Sequence, residues 1–287
     1  MQYILVITAT VLLALDFSLT KKYQLSEGTS ISAGLRFNAL NGLFTAVIFL
    51  TLSGFRVTLS APSLILAFCT SLCGMAYNII GFRILKAGGL AVYSLFLMLG
   101  GMLLPYAFGV LFLEEPLTPF RIAGVLLIAI AVVFSAKTKY RFGRSVYLGC
   151  FAVFFLNGAV SILSKLHQIA APFASVSSTN FVMYTGIGKC VFGSVALLFF
   201  NRREGASALR SKSSVVILIT SALVSGVSYL LQLNGAKTLP ASVLYPIVTG
   251  GSIIFSALAG KMFFREKLSS YQRISIALCF MGTILFL

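Results

Sequence analysis

Apolar residues in this chain do not alternate with polar ones. They run on for about twenty residues at a time, the length a membrane-spanning helix needs. Ten such runs cover residues 3–20, 31–53, 62–82, 88–113, 117–136, 145–165, 176–200, 214–236, 239–264 and 268–287. A spanning segment must satisfy its own backbone, as a helix does, or belong to a closed barrel. Barrel strands change face at every residue, whereas Leu126 to Val133 is apolar throughout, so the pattern predicts helices. The polar connections are short. The longest, Asn201 to Ser214, is too small to be a domain. The first run lacks a basic leading segment, carries Asp16 and is followed by Lys21 and Lys22, so it reads as a retained span rather than a signal peptide.

The pattern also repeats. At an offset of 151 residues Lys86 falls on Lys237 and Glu115 on Glu266. Leu117, Thr118 and Phe120 fall on Leu268, Ser269 and Tyr271, and Gly101, Pro105 and Gly109 fall on Ser252, Ser256 and Gly260. The starts align at 144 instead, with Thr20-Lys21 on Ser164-Lys165, which places about seven extra residues around 201–213. Each half (1–139 and 140–287) holds five runs. Five is odd, so the second copy enters the membrane from the opposite side. The expected architecture is an all-α integral membrane protein of ten helices in two inverted five-helix repeats. Inverted repeats are a signature of secondary transporters, whose solute site lies between the halves near the midplane.

Composition narrows the class. Of 287 residues 59% are apolar and 10% charged, with a mean hydropathy of +1.00. Water-soluble globules carry about a quarter charged residues, so a soluble domain and a disordered chain are both excluded. The net charge of +16 would suggest nucleic acid if it formed one solvated face. Instead the Lys and Arg residues lie mainly between the apolar runs. With odd-numbered connections on one face, seventeen of the 22 fall there, four on the other, and Lys189 lies inside a run. The positive-inside rule then makes the odd connections cytoplasmic and leaves both termini outside. The five cysteines sit in apolar runs and read as packing residues. Cys69 and Cys73 share a helical face, but a single histidine gives a metal site little to build on.

Ten spans arranged as five plus five, with Glu115-Pro-Leu-Thr and Glu266-Lys-Leu-Ser before the last span of each half, resemble the drug/metabolite transporter superfamily, EamA-type branch. The resemblance covers essentially the whole chain. It implies movement of small metabolites (amino acids, aromatic compounds, organic cations) through a central cavity, and it implies cytoplasmic termini, against the charge distribution. One departure from the family pattern is Ser275, which stands opposite Gly124 where the second half has a glycine in relatives.

Charges inside spans are costly and therefore candidates for function. Lys189, mid-way along the seventh run, either recognises an anionic or carboxylate-bearing solute, is displaced during transport, or snorkels past its small neighbours Gly186 and Gly188. Asp16 carries a proton, attracts a cation or pairs with Lys189, or else it is a structural partner of Lys21 or Lys22. Polar residues in the spans that the family places around the cavity are Tyr77, Asn78, Tyr93, Asn157, Ser161, Tyr229, Gln232, Asn234 and Tyr245. Each serves either a mostly apolar binding site or an interhelical hydrogen bond. Asn38 and Asn41 fit the second role. Gly101, Pro105, Gly109, Pro246, Ser252, Ser256 and Gly260 are candidates for close packing and for bends useful in gating. Glu115 and Glu266 sit where a carboxylate complements the start of the next helix.

The phosphate-binding Gly-x-x-x-x-Gly-Lys motif is missing, so no ATP engine is encoded, and neither metalloprotease nor serine-hydrolase motifs occur. The expectation is a secondary active transporter of the cytoplasmic membrane of a bacterium, not an enzyme. It moves a small molecule by alternating access, with no cofactor, with a proton or the solute gradient as driving force, and as a monomer or homodimer in the lipid bilayer without nucleic acid. An intramembrane lipid-modifying enzyme would need clustered acids or a nucleophile, and six scattered acids oppose it. An oligomeric channel would need a polar ring repeated along one helix.

Overall fold

In the structure, a computed structural model, residues 2–28, 30–86, 90–135, 143–169, 176–204, 211–265 and 270–286 are described. Among them ten helices appear: α1 (Gln2–Glu27), α2 (Ile31–Leu52), α3 (Ala61–Lys86), α4 (Leu90–Phe112), α5 (Pro119–Ser135), α6 (Arg144–Ile169), α7 (Ser178–Glu204), α8 (Lys212–Ala236), α9 (Ala241–Phe264) and α10 (Ser270–Ile284). Each apolar run carries one helix. Eight are long and apolar enough to cross a membrane, and the two shorter ones, α5 and α10, end the two halves. The boundary expected at residue 139 lies outside the described residues, as do Glu266, Leu268 and Ser269 of the repeat.

Side-chain oxygens start several helices. Ser30, Thr118, Ser177 and Ser211 accept hydrogen bonds from the backbone N–H groups of Ala33, Arg121, Asn180 and Ser213 at 3.1, 3.3, 3.2 and 3.1 Å. These bonds satisfy donors that a helix leaves unpaired in its first turn. Helix outer faces carry large apolar side chains such as Leu111, Phe199 and Met262, all more than 70% exposed, as lipid contact requires. The spans differ in enclosure, and α9 is the most enclosed of them.

The halves interleave instead of standing side by side. Helix α1 packs on α8 and α9, and its counterpart α6 packs on α3 and α4. Counterparts also pair directly: α2 with α7, α4 with α9, α5 with α10. Moving both helices five places along the chain exchanges the α1 and α6 pairings and carries each counterpart pair into itself.

Glycines show how the counterpart helices meet. A methyl group built on Gly42 would lie 2.6 Å from the Cys190 nitrogen, and one on Gly186 would lie 2.8 Å from the Ala46 nitrogen. Gly193 meets Ala39 in the same way, at 2.9 Å. As α2 ascends through 39, 42 and 46, its α7 partners descend through 193, 190 and 186, so the two helices run antiparallel. Gly42 and Gly186 are also repeat counterparts at the offset of 144 and face each other's carbonyl. Thus Gly186 serves helix approach, and Gly188 packs against Ser71, so neither is simply spare room for a snorkelling Lys189.

Helices α5 and α10 repeat this arrangement at the offset of 151. Gly124 meets the Gly282 carbonyl at 3.0 Å, and Ser275 Oγ donates to the Ala131 carbonyl at 2.7 Å. Ser275 is the counterpart of Gly124, and Gly282 that of Ala131. The serine that departs from the family pattern fills its space and bonds the facing helix. Backbone conformation follows the same offset: Glu114 (φ 54°) ends α4 and Arg265 (φ 52°) ends α9, both left-handed. The change of offset falls between α2 and α3, because α3 and α8 begin 151 residues apart while α7 runs on to Glu204.

Candidate functional site

Two cavities of about 320 and 350 Å³ meet between the helices. The outer chamber reaches the α1–α2 turn at Gln24 and Gly28 and is lined by aromatic rings and amides, including Tyr23, Phe37, Asn38, Asn41, Asn78 and Tyr93. The inner chamber is mostly apolar in surface but carries many hydroxyl groups, among them Thr70, Ser161, Ser164, Ser228, Tyr229 and Tyr245, together with Asn157 and Gln232. Asp16, Phe17, Gly74, Tyr77, Leu97, Lys189 and Ser225 line both. They form the waist.

Among the described lining residues, Asp16 and Lys189 are the charged ones. Asp16 on α1 and Lys189 on α7 attract each other electrostatically. The Ser221 hydroxyl on α8 donates to the Asp16 carboxylate at 2.5 Å, and the Asn41 amide donates to Ser221 at 3.2 Å. Asp16 is therefore oriented by α8 and α2, and Lys21 lies 4.4 Å over the Phe264 ring. Burying an acid and a base in a mostly apolar space is costly unless each charge is paired or solvated.

The structure brings Asp16, Tyr77, Asn78, Tyr93, Asn157, Ser161, Lys189, Tyr229, Gln232 and Tyr245 to one chamber or the other. Several bond neighbouring helices at the same time. Asn157 donates to the Leu97 carbonyl at 2.7 Å and Ser161 to the Gly101 carbonyl at 3.4 Å. That carbonyl lacks its usual helical donor because residue 105 is proline. Tyr229 and Ser164 share a hydrogen bond of 2.7 Å, and the Tyr245 hydroxyl donates to the Ser161 carbonyl at 2.5 Å. Gln232 donates to Ser228 at 3.2 Å, and Ser228 to the Ala9 carbonyl at 2.7 Å. Gly101 and Ser252 also line the inner chamber. Ser252 and Ser256 bond their own helix, while buried Gly260 accepts the capping N–H of Arg265. Pro246 is buried inside α9.

Sequence reasoning missed Ser221 and Ser225, set Asn38 and Asn41 aside, and did not single out Gly74. The signal was present. Ser221, Ser225, Ser228 and Gln232 recur at helical spacing along one face of α8.

Beyond the inner chamber a pair of charged groups joins the helix ends. Lys165, buried on α6, donates to the Ala236 and Leu239 carbonyls at 2.8 and 2.7 Å, and Ala236 lines the inner chamber. The Glu115 carboxylate accepts from the Ala241 and Ser242 nitrogens at 2.6 and 2.7 Å. Helix α9 begins after Pro240, which offers no capping side chain, so Glu115 supplies the cap from another helix connection. The carboxylate serves α9 and not α5, the next helix in sequence. Gly109 makes this possible, because a side chain there would occupy the space of the carboxylate. Nearby, Ser178 donates to Gln168 at 2.9 Å, and the Gln168 amide bonds His167 Nδ1 at 2.7 Å. That leaves His167 Nε2 to donate to Ser63, 3.1 Å away, so the histidine is spent on joining α6 to α3.

The EamA-like transporter family profile matches residues 144–287, the second half of the chain. The chain belongs to the EamA-like transporter family. It is an integral membrane protein and a membrane transporter. A solved crystal structure of a protein 17% identical shares the fold, with a TM-score of 0.77 over 99% of this chain and 95% of the other. No curated protein matches the chain in sequence.

Proposed function

We propose that this transporter carries a small net-neutral organic solute bearing both a carboxylate and a cationic group, of the amino-acid kind, by alternating access. One observation carries the reading: a single acid and a single base, Asp16 and Lys189, among the described lining residues, both at the waist between the chambers. A solute with one charge would satisfy one of them and leave the other in an apolar enclosure, which is costly. A zwitterion satisfies both, its carboxylate at Lys189 and its cationic group at Asp16. The aromatic outer lining and hydroxyl-rich inner lining suit an uncharged remainder of either kind.

Alternating access is supported by the antiparallel pairing of α2 with α7 and by the repeat-related contacts at offsets of 144 and 151. Two inverted copies can exchange conformations at similar energy. The chambers extend to the α1–α2 turn, whereas the far end is tied by Lys165 and Glu115. By charge distribution the odd-numbered connections face the cytoplasm. The proton or the solute's own gradient drives the cycle.

Uptake into proteoliposomes tests this reading, using labelled phenylalanine and glutamine against phenethylamine and phenylpropionate, with and without a pH gradient. Saturable flux of the zwitterions, exceeding that of either single-charge analogue, is expected. Equal flux of all four solutes, no saturable flux of any, or an ohmic ion current overturns it.

A further inference from the structure

We propose that Gly74 sets the aperture between the two chambers and thereby the size of solute that can pass. This rests on the reading of the double chamber as the solute path. Gly74 lies in the interior of α3 and lines both chambers beside Asp16, Tyr77 and Lys189. A glycine inside a helix costs stability relative to alanine, so it calls for a reason.

Elsewhere in the bundle the reason is packing. A methyl group would lie 2.6 Å from the Cys190 nitrogen at Gly42, 2.6 Å from the Asn157 amide at Gly101, and 2.6 Å from the Ser71 hydroxyl at Gly188. At Gly74 the same methyl group meets the Tyr77 ring alone, at 3.9 Å, an ordinary contact. Its backbone is plain helix, with no positive φ to require glycine. Neither packing nor conformation accounts for the residue. Its missing side chain leaves open space where the chambers join. A larger side chain would project into that passage without displacing a neighbouring helix.

A packing glycine and an aperture glycine respond oppositely to substitution, which makes the assignment testable in the full-length protein with its cysteines replaced. Single cysteines are placed at Thr20→Cys, lining the outer chamber, and Val160→Cys, lining the inner one. Each is labelled from the α1–α2 side with a small methanethiosulfonate and with a bulky maleimide. With Gly74→Leu, labelling of Val160→Cys by the maleimide should slow at least tenfold and by the small reagent less, while Thr20→Cys labels as before. Gly74→Ala and Gly74→Leu should keep the thermal denaturation midpoint. Unchanged labelling at Val160→Cys, equal loss at both cysteines, or a lowered midpoint for Gly74→Ala overturns the proposal. The labelling needs no solute, so a protein that fails to carry the zwitterion panel yet shows the predicted block refutes the transport reading and leaves the aperture standing.

Discussion

Replacing Lys165 by methionine isolates the contact that ties the end of α8. Methionine keeps an unbranched apolar stem but removes the ammonium that binds the Ala236 and Leu239 carbonyls at 2.8 and 2.7 Å. Hydrogen bonds to charged groups contribute about 1.5–3 kcal/mol each. Two at the lower end give about 3 kcal/mol, and part of the desolvation cost of the lysine is recovered on replacement. In an opened end, water reaches those carbonyls; in the closed end it does not, so the loss falls on the closed state. At about 1.4 kcal/mol per factor of ten, the ratio of closed to open falls roughly a hundredfold. A cysteine at Val248, which lines the inner chamber, reports the change through its labelling rate by an impermeant thiol reagent added from the side of the α8–α9 turn. The rate should rise by up to that factor in Lys165→Met and change less in Lys165→Arg. An unchanged rate in folded Lys165→Met protein would refute the reasoning, because the two bonds would then contribute nothing to closure.

Other outcomes follow from the same geometry. Asp16→Asn and Lys189→Met should each reduce saturable zwitterion uptake at least tenfold, read in proteoliposomes, because each leaves one charge of the pair without its counterpart. Ser221→Ala, which removes the hydroxyl that orients Asp16, should raise the apparent KM for the solute more than it lowers the maximal rate. Gly42→Val forces α2 from α7 and should lower the denaturation midpoint by several degrees, at a cost of about 1–3 kcal/mol or more. Ser275→Ala should cost about 0.6 kcal/mol, the average for an interhelical hydrogen bond in a membrane protein.

The helices were legible because long apolar runs have few other solutions in a membrane, and the offsets of 144 and 151 were read from matching residues that recur in order. Gly42 and Gly186, 144 apart, face each other, and the Gly124–Gly282 and Ala131–Ser275 contacts join residues matched at 151. The interleaving of the halves was not legible. Spacing along a chain says which face of a helix is polar, not which helix it meets. For that reason the interhelical hydrogen bond expected of Asn41 had no partner until Ser221 of α8 supplied one, and Glu115 read as serving α5 although its carboxylate caps α9. Lys165 carried no sequence signal of burial, because it stands near the end of an apolar run where lysines are ordinarily solvated.

Access to Val160 from the two faces of the membrane measures the central claim most directly. A cysteine there is exposed to an impermeant thiol reagent in right-side-out and in inside-out vesicles, with and without saturating zwitterion. If one cavity between inverted halves serves both faces in turn, the cysteine is labelled from each side and the solute changes both rates. Labelling confined to one side under every condition would contradict it.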